Sequence, residues 1–451
     1  MSKPKLNLFD FTMIMVTLVI GMGIFRTPAN VAASSPNPAV FFGAWIAGGV
    51  IAICGALTYA EIGSRFPVTG GYYRIFSYAY HPSVAFGVNC IILISNAASL
   101  AGVALIGAEY IIKVVMPNAT DTETAKLVIA ISSIAVFYIV NLAGLKMSAR
   151  TQNILALIKI SLIILLIAPL FFYHDTAKDT SAQIVNPTFK EYIKAFGLGL
   201  VAVSFTYGGY QQSINFGDEV KDPATNIPRG IFIGLLIIVG LYLSINYAYY
   251  KVIGFTALKT STNIASIMAG HVFGSAAGNI LSVVLFLSVL AYVNVLLMSN
   301  PRVMQAMSEE GVLPKTFGRR TVSTNVLLTS LSVFASLCAL IVFWAKTFDQ
   351  ILSFTIFLDC FGMVLSAATI FKLRKNTKQL DGTGIYKMKL FPLMPVIFIA
   401  AYSFVAISIF ADKPNTGLTG LGILAAFIVL YFIATSGKNK SGSDPDEILK
   451  S

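Results

Sequence analysis

Apolar residues run through the chain in stretches long enough to cross a bilayer, separated by short polar segments. A spanning helix needs roughly 20 mainly apolar residues. Windows of that size predict twelve membrane helices, with cores at 9–33, 38–63, 84–115, 125–145, 152–172, 195–219, 230–250, 276–299, 325–345, 348–371, 390–411 and 416–435. Two of them are interrupted: Gly21-Met22-Gly23 breaks the first, and Tyr207-Gly208-Gly209 breaks the sixth. Inside hydrocarbon an unwound backbone leaves amides and carbonyls without partners, which is tolerable only where they face a cavity or a ligand. The breaks stand five helices apart. Corresponding interruptions in two halves of a chain point to an inverted-repeat transporter with a midplane site. Close packing at glycines explains either break alone; their matched placement favours a binding site.

Composition excludes a soluble protein. The 451 residues are 56% hydrophobic and 12% charged, with mean hydropathy +0.78, against about 25% charged in ordinary globular chains. An exterior this apolar needs lipid as its solvent, so the expected class is an all-α polytopic membrane protein. The net charge of +12 does not indicate nucleic acid, because no basic cluster is interleaved with aromatics. With a cytoplasmic N-terminus, about two-thirds of the 32 lysines and arginines fall in cytoplasmic segments, as the positive-inside rule expects. The expected location is the cell membrane, multi-pass, with both termini cytoplasmic and lipids as neighbours. The cluster Lys372, Arg374, Lys375 and Lys378 belongs to this topology signal rather than to a lipid site. Residues 8–25 follow Lys3 and Lys5 like a signal sequence, but the many later spans make them the first membrane helix. Cys54, Cys90, Cys338 and Cys360 lie in apolar segments, where thiols act as small hydrophobes.

Several chemistries are missing. No GxxxxGK[ST] loop occurs, since Gly437-Lys438 is followed by Asn439. His81, His174 and His271 lack zinc-site spacing. Asp381-Gly382-Thr383-Gly384 is turn chemistry rather than half of a protease site. The best candidate acids, Glu61 and Glu219, fall at predicted cytoplasmic helix ends. No enzyme, metal or cofactor is expected.

Several ordered motifs carry a resemblance. Gly21-Met22-Gly23-Ile24-Phe25 followed by Thr27-Pro28 resembles the first-helix element of the amino acid-polyamine-organocation superfamily. Tyr59-Ala60-Glu61 through Pro67 to Gly70-Gly71-Tyr72 resembles its next motif, and Arg302 through Gly311-Val312-Leu313-Pro314 the loop after span eight. Phe205-Thr206-Tyr207-Gly208-Gly209-Tyr210, Asn215-Phe216, Glu219-Val220-Lys221-Asp222-Pro223 and Ile227-Pro228-Arg229 resemble span six of the L-type amino-acid transporter branch. The resemblance covers spans one to eight. It implies the leucine-transporter-type fold: after an N-terminus at 1–8, inverted five-helix repeats at 9–173 and 191–373, then helices eleven and twelve at 389–435; the short polar tail at 436–451 is expected to be disordered from its composition.

An amino acid offers a carboxylate that needs amide donors and an ammonium that needs carbonyl acceptors, and half-helix ends present both. The resemblance assigns the carboxylate to the amides around Gly21, Met22 and Gly23, beside Ile24. It assigns the ammonium to carbonyls near Val19, Phe205 and Thr206, with Tyr207 and Gly208 completing the second break and Phe205 as an aromatic gate. Gly21 and Gly23 are expected to permit a close approach that a Cβ would obstruct, with positive φ as one route. Asn96 and Ser95 are candidate side-chain contacts, or simply helix-to-helix hydrogen bonds. Lys159 lies inside an apolar run, about two turns into the predicted fifth span, where an ammonium must snorkel or find protein partners. The resemblance makes it the substitute for the structural sodium ion of sodium-driven relatives, bridging spans one and eight; carrying a proton is its alternative role.

The chain departs from the family pattern at Met22, where a small residue is common, and at Arg26, which either faces the outer vestibule or pairs with Glu109. Gln211 is neutral where cation carriers have glutamate. The resulting expectation is a sodium-independent transporter of neutral amino acids, working by alternating access as an exchanger or proton symporter. A membrane receptor that binds amino acids is the alternative. The segment Met116 to Thr124 has no cysteine, so the disulfide-linked subunit of animal L-type chains is not expected.

Overall fold

The computed structural model describes residues 5–21, 23–118, 122–172, 188–261, 264–273, 275–344 and 348–435. Every predicted span core has a helix in it. In chain order these are α1 (Leu8–Val19), α2 (Gly23–Ser34), α3 (Pro38–Arg65), α4 (Gly71–Ala79), α5 (Pro82–Val115), α6 (Glu123–Leu142), α7 (Leu145–Ile167) and α8 (Phe189–Tyr207). There follow α9 (Pro223–Ile253), α10 (Phe255–Thr260), α11 (Ile264–Phe273), α12 (Ser275–Glu309), α13 (Leu328–Trp344), α14 (Phe348–Asn376), α15 (Leu393–Asp412) and α16 (Pro414–Thr435). The described residues form no strands, only two isolated bridges, Leu6 with Val220 and Thr69 with Phe216.

Local chemistry sets the helix starts. Asn7 and Asp10 form a reciprocal capping box on α1, and Thr188 and Glu191 do the same for α8. Asn37 caps α3 with Pro38 in its first turn. Some helices begin before their apolar windows, α7 at residue 145 and α9 at 223, because polar first turns lie outside the bilayer core yet remain helical. The sixth span differs from expectation beyond its break, continuing as a short 3-10 helix from Tyr210 to Asn215.

Eight helical units among the described residues are long and apolar enough to cross a membrane, and two further apolar stretches, Leu328–Trp344 and Gly417–Ile433, are shorter. The protein is thus an all-helical, multi-pass membrane protein. Outward-facing apolar residues such as Ile139, Ile154, Leu340, Ile407 and Ile433 meet lipid, where their exposure costs nothing. Inside, α1 packs on α7 and α9, α3 on α8 and α9, and α5 on α12, α13 and α14.

Buried ion pairs tie together the end of the bundle that carries residue 5. Glu61, wholly buried, accepts from Arg65 at 2.7 Å, from Arg374 at 2.6 Å and from the Met388 amide at 2.9 Å. Glu219 is held by Arg302 at 2.6 Å and by Arg320 at 3.3 Å, while the Arg302 guanidinium sits 4.4 Å from the centre of the Phe216 ring. The two acids singled out from sequence are therefore structural. Arg374 belongs to this network too, and Lys372 donates to the Ala79 carbonyl at 3.3 Å, so the basic cluster has packing duties. Asp381 sits in a turn with Gly382 and Gly384 both at φ 89°. Lys387 and Arg65 together hold its carboxyl down at about 2, in keeping with turn chemistry rather than catalysis.

Candidate functional site

Both breaks exist, and they meet. The amide of Ile20 still bonds back to Val16 at 2.8 Å, but Gly21 turns back on Val19 at 2.8 Å before α2 resumes at Gly23. The Val19 carbonyl also accepts from the Tyr242 hydroxyl at 3.3 Å, and the Ile20 carbonyl accepts from Lys159 Nζ. At the second break the Gly208 amide reaches the Phe205 carbonyl at 3.3 Å. Gly209 follows with φ 111°, its amide donating to Gln211 Oε1 at 2.9 Å. A Cβ on Gly209 would lie 2.2 Å from the Leu18 carbonyl oxygen, and one on Gly23 would lie 2.9 Å from Thr206 Oγ1. Each interrupted helix thus passes against the other at a position that requires glycine.

A cavity of about 60 Å³ opens at this crossing, room for roughly four to six water-sized groups. Backbone-rich segments form one side: Leu18, Val19, Gly21 and Gly23 from the first break, and Ser204 to Gly209 excluding Tyr207 from the second. Gln211 and Gln212 of the 3-10 segment and side chains from α5, α12, α14 and α15 form the rest, including Asn96, Ser99, Tyr292 and Asp359. Most of these polar groups are paired. Asn96 donates to Asn300 at 2.7 Å and accepts from Gln212 at 2.9 Å; Ser99 and Tyr292 share a bond of 3.0 Å.

Seven of the residues expected at the site line the cavity: Val19, Gly21, Gly23, Asn96, Phe205, Thr206 and Gly208. Met22 lies outside the described residues. Ile24 and Tyr207 do not reach the cavity. Ile24 is wholly buried in the core, and Tyr207, one helical step round from Thr206, turns toward Trp45 and Tyr242, with ring centres 5.9 and 5.1 Å away. Neither Gly21 nor Gly23 has a positive φ; the left-handed backbone belongs to Gly209. Asn96 is both a lining residue and an interhelix hydrogen-bonding group.

Lys159 is 1% exposed. α7 begins at Leu145, but its polar first turns precede the apolar core, so Lys159 stays about two turns into the span; its ammonium is buried and pairs inward rather than snorkelling. Among the described residues its hydrogen-bond partner is the broken end of α1. The expected bridge onward to span eight is made instead two turns earlier, where Gln152 donates to the Ala291 carbonyl at 3.1 Å and accepts from Asn294 at 2.6 Å. On the far side of the bundle Glu109 pairs with Lys126 at 3.5 Å, and Lys126 also holds Glu123 at 2.7 Å. No group of three metal-ligating side chains occurs among the described residues.

Sequence reasoning missed Asp359, Tyr292, Ser99, Gln212, Met363 and Tyr402 as lining residues. Asp359 carried a usable signal, an acid within an apolar helical run. The others are ordinary neutral residues, Gln212 in the 3-10 segment and the rest in apolar helices, and only their three-dimensional placement distinguishes them.

The sequence model of the amino acid permease family matches residues 6–436. The chain is 29% identical over 438 residues to the serine/threonine exchanger SteT of Bacillus subtilis, covering 95% of this chain and 96% of that one. It is 24% identical over 453 residues to the Asc-type amino acid transporter 1 of Mus musculus, covering 97% and 82% respectively. It is 26% identical over 447 residues to the cystine/glutamate transporter of Pongo abelii, covering 95% and 86%.

Proposed function

The chain belongs to the amino acid permease family and is an amino-acid transporter, not an enzyme; from that premise we propose that it exchanges small neutral amino acids across the cell membrane, without sodium, by alternating access. The observation that carries this reading is the meeting of the two broken helices around a small polar cavity. The substrate carboxylate docks on the N-terminal end of α2, at the amides around Gly21, Met22 and Gly23, where the helix dipole favours an anion. Its ammonium docks on carbonyls at the C-terminal ends of α1 and α8, near Val19, Phe205 and Thr206. Phe205 lies over the bound molecule as a gate. The Phe205 carbonyl accepts one bond from within the chain and keeps a second lone pair for a ligand; the Val19 carbonyl already accepts from Gly21 and Tyr242, so an ammonium there takes the place of the tyrosine hydroxyl.

Lys159 fills the place a structural cation would occupy, since its ammonium satisfies a carbonyl that the break leaves open. This supports sodium independence. Exchange is favoured over proton symport by the similarity to a protein named an exchanger, and the cavity volume favours small side chains. No observation favours a receptor, and the relatives carry the names of transporters and exchangers.

The proposed architecture is twelve membrane helices, as two inverted repeats at 9–173 and 191–373 with two further helices at 389–435 and termini at 1–8 and 436–451. Its support is a set of contacts that exchange under such a symmetry. α1 packs on α9 while α8 packs on α3, and α5 packs on α13 while α6 packs on α12. The termini are proposed to be cytoplasmic, and the Glu61 and Glu219 networks then close the cytoplasmic side. No disulfide-linked subunit is proposed: Cys54, Cys338 and Cys360 are buried and Cys90 half-buried.

Transport in proteoliposomes tests the reading. Uptake of labelled L-serine or L-alanine should rise several-fold when unlabelled amino acid is inside, and should persist when choline replaces sodium. Strict sodium dependence, or indifference to the internal amino acid, contradicts it.

A further inference from the structure

Once the α-carboxylate and α-ammonium are assigned to the two backbone breaks, the substrate's side chain must face the rest of the cavity wall. Asp359, on α14, is the one formally charged side chain among the described residues that line this space. Its Oδ1 accepts from Ser95 Oγ at 3.0 Å, and among the described residues no lysine, arginine or histidine pairs with it. The neighbouring polar groups are otherwise occupied, Ser99 with Tyr292 and Asn96 with Asn300 and Gln212. A carboxylate at membrane depth with one hydroxyl partner is costly unless it takes up a proton or meets a further donor, and the cavity is the side from which such a donor can come.

We infer that Asp359 selects the substrate by its side chain, accepting a hydrogen bond from a small amino acid with a side-chain hydroxyl or ammonium and repelling one with a side-chain carboxylate. The inference rests on the amino-acid reading of the cavity and widens its proposed neutral substrates to small side-chain cations. A site built to accept a bond discriminates against a ligand lacking the donor, because its own acceptor is then left unpaired. Two carboxylates brought together in a low-dielectric cavity repel strongly. The α-groups are common to all amino acids, so this contact changes preference among them without abolishing binding of the class.

Binding of L-alanine, L-serine, L-2,4-diaminobutyrate and L-aspartate to the purified full-length protein, by calorimetry or thermal shift, tests it. In the wild-type protein the expected order is diaminobutyrate and serine ahead of alanine, with aspartate at least about tenfold weaker than alanine. In Asp359→Asn, measured against alanine binding by the same variant, diaminobutyrate weakens by about tenfold and aspartate rises to within about threefold. This opposite movement of a cation and an anion reports charge and would not follow from a general disturbance of packing. Wild-type protein that takes aspartate as readily as alanine overturns the inference without any variant. So does an Asp359→Asn protein that binds alanine and keeps the wild-type order. Absence of binding by all four to the wild-type protein overturns the amino-acid reading beneath it as well.

Discussion

Lys159→Ala is expected to lower amino-acid exchange by about 100-fold or more while leaving a monodisperse, helical protein. The Lys159 ammonium is buried and donates to the Ile20 carbonyl, at the point where the α1 ladder ends. Removing it leaves a carbonyl without its partner inside the membrane, beside the proposed ligand site, and nothing in the surrounding apolar wall of Leu155, Leu162 and Ile163 can replace the donor. Lys159→Met keeps the stem and loses the charge, so it should behave like the alanine variant. Labelled uptake in matched proteoliposomes, with size-exclusion profiles as the folding control, reads the effect. Near-normal exchange in either variant shows that the lysine is a tolerated passenger.

Gly209→Ala is expected to damage the fold itself. Its backbone has φ 111°, which a side chain disfavours by about 1–2 kcal/mol. A Cβ there would stand 2.2 Å from the Leu18 carbonyl oxygen, and backbone cannot rotate away as a side chain can. Overpacking of this kind costs about 1–3 kcal/mol more. Together these lower the melting temperature by several degrees and reduce the recovered yield. A Cβ on Gly21 would meet only the Tyr292 ring, at 3.7 Å, so Gly21→Ala should melt near the wild-type temperature. Equal melting of the two variants would show that the helix crossing does not depend on Gly209.

This pair also shows what was legible in the sequence. Both breaks could be read, because closely spaced glycines in the middle of an apolar run weaken the helix at that point whatever surrounds it. The identity of the glycine that needs its conformational freedom could not, because that depends on which strand of backbone passes nearest. Lys159 was conspicuous as a charge in lipid, and its partner on the first break agreed with expectation. The start of α7 was not legible, since its polar first turns fall outside any apolar window. Tyr207 was misplaced for a related reason: membership of a motif does not say which way a side chain turns, and on a helix adjacent residues face different directions. The short helix α4 escaped notice because nine amphipathic residues with Arg74 among them cannot be told from a loop by a search for long apolar runs.

The most direct test of the central claim, that the crossing of the broken helices binds an amino acid by its backbone groups, is substrate-induced thermal stabilisation of Gly21→Val beside the wild-type protein. A Cβ on Gly21 meets only the Tyr292 ring, at 3.7 Å, and Gly21 lines the cavity, so valine should project into the carboxylate position and leave the unliganded protein intact. The expected result is stabilisation of the wild-type protein by L-serine or L-alanine, no competition from ethanolamine, which lacks the carboxylate, and no shift in Gly21→Val at an unchanged unliganded melting temperature. An undiminished shift in the variant, or strong competition by ethanolamine, would show that the breaks serve packing alone.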